Sequence, residues 1–144
     1  MPEGLSEVRW RWMLRRRRHD QRIFLYYPNG QDAGYQVLKV CSRAGHDHAI
    51  LIWQVCHQCR RGLIAKISII PEWQGQGLGR RLINRALRDG PDYQWTTSSQ
   101  SPEGQGFFPV LAKESGALLT VGPACAHIET AERTFPRPRL ERGV

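Results

Sequence analysis

The chain has 144 residues, 40% apolar and 9% aromatic, with 21 basic against 13 acidic side chains and a formal charge of +8. That length excludes two full-sized domains, and the apolar share excludes wholesale disorder. The longest unbroken apolar run, Ala49 to Trp53, falls far short of the ~20 residues that cross a bilayer, so no membrane partner is expected.

The first seventy residues read as strands. Glu7 to Leu14 alternates, with Val8, Trp10 and Trp12 on one face. Arg15 to Arg18 follow, where a secretory leader would place an apolar stretch, so the chain reads as cytoplasmic. A run of this kind is more often a solvated turn or an edge-strand guard than a nucleic-acid clamp. Arg22 to Tyr27 is a short strand closed by Pro28-Asn29-Gly30, a strong turn signal. Tyr35 to Cys41, His48 to Cys56 and Leu63 to Ile70 follow, each bounded by glycine or a polar cluster, and Pro71 ends the last.

At Gly77 the period changes. Leu78, Leu82, Ile83, Ala86 and Leu87 fall at helical spacing, with Arg81, Arg85 and Arg88 opposite, and Gly90-Pro91 ends the helix. Tyr93 to Thr97 is a short strand. A weaker helix runs from about Gly106 to Ser115, with Pro109 in its first turn and Gly116 as its stop, and Ala117 to Val121 is a last strand. The order predicts an α/β fold with a mixed sheet, an N-terminal antiparallel meander followed by β-α-β-α-β. One domain over residues 1–132 is expected, best supported over 35–122, with a flexible Arg/Pro-rich tail over 133–144.

The chemistry concentrates in Ile67 to Leu82, where glycines at 75, 77 and 79 join a strand to an amphipathic helix. Glycine lets the backbone pass close to a ligand, and the unpaired N–H groups of a first helical turn favour an anion. With Arg80 and Arg81 beside them, these groups predict a phosphate or pyrophosphate site. The Gly-Lys-Ser/Thr ending of a nucleotide P-loop is missing, and the spacing is not Gly-x-Gly-x-x-Gly. Gln74-Gly75-Gln76-Gly77-Leu78-Gly79 instead resembles motif A of the GNAT superfamily of N-acetyltransferases, Gln/Arg-x-x-Gly-x-Gly/Ala, with Ile67-x-Ile69-x-Pro71-Glu72 as the strand leading into it.

The resemblance spans roughly Tyr35 to Val121. It implies that the amides of Gln74, Gly75, Gln76, Gly77, Leu78, Gly79 and Arg80 bind the pyrophosphate of acetyl-CoA. It implies that backbone groups around Ile67 and Ile69 hold the pantetheine arm, in a gap where Tyr93 to Thr97 splays from Leu63 to Ile70. The expected function is acetyl transfer from acetyl-CoA to a primary amine of an unidentified acceptor. Two departures stand out: Ala112 occupies the place where many members carry a tyrosine that protonates the departing thiolate, and two helices that shape the acceptor pocket are not visible before Tyr35. An ammonium acceptor must also lose a proton before attack. Glu72, His46, His48 and His127 are the titratable candidates, each more often an ordinary polar position, so the catalytic residues are unassigned.

Cys56-His57-Gln58-Cys59 has the spacing of a zinc knuckle, and Cys125-Ala126-His127 supplies a third thiolate and an imidazole. Together Cys56, Cys59, Cys125 and His127 suffice for a structural zinc. Buried free thiols are the favoured account, because the second pair is spaced tightly and Cys41 is already a lone cysteine. Two other functions compete with transfer: a catalytically silent acyl-CoA-binding module of the same fold, and a small basic zinc protein that binds nucleic acid. The latter leaves Gln74 to Arg80 unexplained, so nucleic acid is not expected as a partner. Exposed strand edges in so small a sheet would suit a homodimer.

Overall fold

The computed structural model describes residues 22–29, 31–98, 102–116 and 119–134. Six strands form one sheet in chain order: β1 (Ile23–Tyr27), β2 (Gln36–Cys41), β3 (Asp47–Cys56), β4 (Arg61–Ile69), β5 (Gln94–Thr97) and β6 (Thr120–Val121). Short connections make β1 to β4 an antiparallel meander. Parallel pairing of β4 with β5 and of β5 with β6 demands crossovers, supplied by α1 (Leu78–Leu87) and α2 (Pro102–Ser115). A third helix, α3 (Ala126–Thr134), follows β6.

Period-two alternation sorts the sheet residues. Leu38, Val40, Ala49, Leu51, Trp53 and Val55 share one face with Ile64 and Trp95, where Leu78, Leu82, Ile83 and Ala86 of α1 and Phe108 and Leu111 of α2 cover them. On the other face Ile128 and Ala131 of α3 close over Cys56 and Leu63. Gln54 is fully buried there, and its amide donates to the carbonyls of Ala33 (2.9 Å) and Ile128 (3.3 Å), tying α3 to β3. Beyond α1, Asp89 accepts from the Trp53 indole at 2.9 Å and the Gln36 amide at 3.2 Å, fixing the helix end over the meander.

The sheet and its meander agree with the expected fold class. Three particulars differ. Helix α2 begins at Pro102, so Pro109 lies inside it rather than in its first turn, and the Gln105 carbonyl loses its helical donor. Of the expected strand Ala117–Val121, Thr120 and Val121 form β6 and Leu119 does not, while positions 117 and 118 lie outside the described residues. Helix α3 was not expected at all, since Ile128 and Ala131 are its only buried residues; its last turn takes in Arg133 and Thr134, which the sequence assigns to a tail. The expected strand Glu7–Leu14 and the run Arg15–Arg18 lie outside the described residues.

Cys41 is buried in β2 with its thiol donating to Asp47 Oδ1 at 3.2 Å, while Lys39 Nζ sits 3.2 Å from Asp47 Oδ2. Burial, then the bond to Asp47, pushes the thiol up from about 9 to about 12. Because the folded value is the higher, the neutral thiol contributes stability that is present below pH 9 and lost as pH climbs toward 12. Cys41 should therefore resist iodoacetamide in the native chain at pH 8 and react once urea unfolds it, as read by mass spectrometry. Labelling of the native protein at the rate of an exposed thiol would contradict this burial.

Candidate functional site

The site begins with an irregularity in β4. Ile52 pairs with Lys66 but Trp53 pairs with Ile64, so the register shifts by one and Ala65 is the extra residue of β4. This is a β-bulge. It explains why Ile64, Ile67 and Ile69 all face the α1 side although the first two are three residues apart, while Ala65 faces the other side with Ile50 and Ile52. Strand β5 pairs with β4 only from Arg61 to Ile64 and then ends. Ser98 closes the pairing: its N–H donates to the Ile64 carbonyl at 3.0 Å and its hydroxyl to the Ala65 carbonyl at 2.7 Å. From Lys66 to Ile69 the β5 side of β4 has no strand partner among the described residues. The pairing of the two parallel strands thus stops at the bulge, and the edge of β4 from Lys66 to Ile69, with no described strand beside it, is the candidate cleft.

The head of this cleft is the glycine loop. After β4 a single 3-10 turn, Pro71–Trp73, leads to Gly75 at φ 75° and Gly77 at φ 78°, both left-handed conformations that glycine alone adopts without strain. Gly77 caps α1 with no side-chain cap bond among the described residues; the first helical bond is Arg81 N–H to the Gly77 carbonyl at 3.2 Å. No acidic residue lies in this first turn, which instead holds Arg80 and Arg81. Cations there oppose the helix dipole by about 0.3–1 kcal/mol each, so an anion at this end would relieve the conflict. A Cβ added to Gly79 would come within 2.7 Å of Phe107 Cζ and 3.4 Å of Ile69 Cδ1, so glycine here lets α2 pack against the loop and the end of β4.

The sequence-predicted residues fall at three places. Ile67 and Ile69 lie on the stretch of β4 beyond its pairing with β5, and Gln74 to Arg80 form the loop and first turn of α1 that follow it. Within it, Gln74 Nε2 donates to the Ile69 carbonyl at 2.9 Å and Gln76 Nε2 to the Glu72 carbonyl at 3.2 Å, bracing the loop. Arg80 is held by a bidentate pair with Glu114 of α2, at 2.7 and 3.0 Å. Arg81 turns away, its guanidinium 4.5 Å above the Phe24 ring. Of the candidate bases, Glu72 is exposed in the 3-10 turn, His46 is exposed, and His48 packs edge-on against Trp73 at 4.4 Å. His127 lies 3.1 Å from Cys59 Sγ, beside the start of β4 rather than at the cleft. Ala112, at the tyrosine position, packs against the main core, and its carbonyl accepts from Gly116 N–H at 3.0 Å.

Two site features escaped the sequence reading. Ile64 and Ile67, three apart within a strand, were the signal for the bulge. Ser98, one of many polar residues in its segment, carried no signal for its place at the fork.

The family model for the acetyltransferase (GNAT) family matches residues 2–109. The chain belongs to the GNAT family. Among curated proteins none matches it. Solved structures similar to it include a GNAT-family acetyltransferase from Streptococcus pneumoniae, 16% identical, covering 54% of this chain and 58% of that one with a TM-score of 0.45. A candidate acetyltransferase from Exiguobacterium sp. 255-15 is 21% identical, covering 88% and 79%, with a TM-score of 0.47. The ribosomal-protein-S18-alanine N-acetyltransferase of Escherichia coli is 16% identical, covering 78% and 73%, with a TM-score of 0.45. This GNAT chain spans 58% to 64% of the length of the first four solved structures it matches. No helix among the described residues is long and apolar enough to cross a membrane.

Proposed function

We propose that this GNAT chain binds acetyl-CoA along the cleft and transfers its acetyl group to a primary amine. The observation that carries the reading is the fork between β4 and β5, with the glycine loop and uncapped α1 at its head. An open strand edge can pair with the amides of an extended pantetheine arm as it would with another strand. The amides from Gly77 to Arg80 suit a pyrophosphate, and Arg80 can exchange its exposed pair with Glu114, worth only about 0–1 kcal/mol, for that ligand.

With the thioester held at the fork, a neutral amine attacks its carbonyl carbon, the carbon–nitrogen bond forms, the nitrogen gives up a proton to water, and the carbon–sulfur bond breaks to release the thiolate of coenzyme A. Holding both reactants in place supplies most of the acceleration, and backbone N–H groups on the β4 edge polarise the carbonyl. Alanine at position 112 offers no proton, so the thiolate leaves with help from water or unaided; a free thiol pKa near ~8.5 permits this at reduced rate.

Ala112 also supports a second reading, a module that binds acyl-CoA without turnover. The two separate in one experiment. The purified chain is incubated with acetyl-CoA and a panel of primary amines, including peptides with free N-termini, while free thiol and acetylated product are followed. Amine-dependent thiol release with matching product is the expected result. Micromolar acetyl-CoA binding with no product from any amine would favour the silent module, and absence of binding would remove both.

A further inference from the structure

Far from the cleft, at the other end of β4, a second cluster has no part in acetyl transfer. The β3–β4 hairpin turn carries Cys56 and Cys59, and the start of α3 brings Cys125 and His127 to the same point. One donor atom from each of the four lies within 4.8 Å of every other, and Cys59 Sγ is 3.1 Å from His127 Nδ1. Tetrahedral zinc, with bonds of about 2.3 Å to sulfur and 2.0 Å to nitrogen, sets its ligand atoms roughly 3.5–3.8 Å apart, so a shift of an ångström or less closes the set.

The turn itself is shaped for a metal. The Cys59 N–H donates to Cys56 Sγ at 3.4 Å, the contact a thiolate ligand seeks from the backbone. Arg60 follows in the left-handed region at φ 53°, a strained conformation for a non-glycine residue, just before β4 begins at Arg61. Helix α3 has too small an apolar face to dock by burial alone, with only Ile128 and Ala131 buried. It is held by Gln54 to the Ile128 carbonyl, and Arg61 Nη2 holds the approach to the helix through the Pro123 carbonyl at 2.8 Å. A metal would complete this attachment.

We propose that Cys56, Cys59, Cys125 and His127 bind one structural zinc ion that staples α3 to the β3–β4 hairpin. Three thiolates and one imidazole are a soft, closed donor set, which selects zinc over the oxygen-seeking divalent ions and leaves no position for substrate. Each thiol gives up its proton on binding, so the site carries a net charge of −1, offset by Arg60 and Arg61 next in the chain. The nine residues of β4 put the site roughly 25 Å from the glycine loop, so its role is in stability and not in the reaction.

The full-length chain without a histidine tag, purified under reducing conditions and dialysed against excess Zn2+ and then buffer, should retain about one zinc per chain by elemental analysis. Cys59→Ser and Cys125→Ser should each weaken zinc binding by about 100-fold or more, while His57→Ala, in the same turn but outside the donor set, should not. Should those variants fail to fold, Co2+ replaces zinc in the unmodified chain. Tetrahedral ligand-field absorption with sulfur-to-metal charge transfer is then expected, at the intensity of three thiolates. Less than about a tenth of an equivalent of zinc with only weak octahedral cobalt absorption would overturn the proposal, as would a disulfide among Cys56, Cys59 and Cys125 in the purified chain.

Discussion

Acetyl-CoA titrated into the Gly77→Glu variant should give no binding heat up to about millimolar ligand, while the unmodified chain binds in the micromolar range. A Cβ at Gly77 would meet no atom within 4 Å, so the fold has room for the new side chain beside the first amides of α1. The carboxylate then competes for those amides and repels a pyrophosphate. One other cost must be separated: at φ 78° any residue but glycine carries about 1 kcal/mol of backbone strain. Gly77→Ala carries that strain without the charge and should lose no more than about 10-fold in affinity. If Gly77→Glu binds within about 3-fold of the parent, the pyrophosphate does not sit at this loop.

The largest stability effects should come from the pair Gly62 and Trp95, direct partners in the β4–β5 ladder. Trp95 is fully buried, its indole donates to the Gly90 carbonyl at 2.8 Å, and its ring lies flat over Gly62. A Cβ at Gly62 would stand 2.6 Å from Cε2 of that ring. Gly62→Ala should therefore cost about 1–3 kcal/mol by overpacking, and Trp95→Ala about 3–5 kcal/mol by cavity formation. Together they should cost at least about 1 kcal/mol less than the sum, because the alanine then enters the space the indole vacates. Urea unfolding of the four proteins measures this directly. Simple additivity would mean that the close approach of ring and glycine is not what holds β5 to β4.

The frame of the fold was legible because β3 and β4 announce themselves by β-branched runs between turns, and α1 by Leu78, Leu82, Ile83 and Ala86 at helical spacing. The loop was legible for a different reason: three glycines at alternate positions mark a backbone that turns left-handed, as at Gly75 and Gly77, or is closely approached, as Gly79 is by Phe107. What stayed hidden depends on tertiary contact. Helix α3 has a two-residue apolar face, and the residues that dock it, Gln54 and Arg61, lie far away in sequence. The pairing of Arg80 with Glu114, and the turning of Arg81 onto Phe24, depend on where α2 and β1 come to lie. The convergence of Cys125 and His127 on the Cys56–Cys59 turn follows from α3 alone, so the four residue types could be named in advance and their meeting could not.

Ala65 gives this sheet an unusual relation to its coding length. Without it, Ile64, Lys66, Ile67, Ser68 and Ile69 would alternate in and out without interruption, and the same isoleucines would still face α1. The hydrophobic core therefore needs one residue fewer than β4 contains. The surplus falls where the β4–β5 pairing stops, at the residue whose carbonyl accepts from the Ser98 hydroxyl. Loss of a single in-frame codon there should leave a chain still able to build its core, with the bulge removed from the point where the β4–β5 pairing stops. On the function proposed above, the distance between a chain that folds and one that also binds acetyl-CoA is a single amino acid in length.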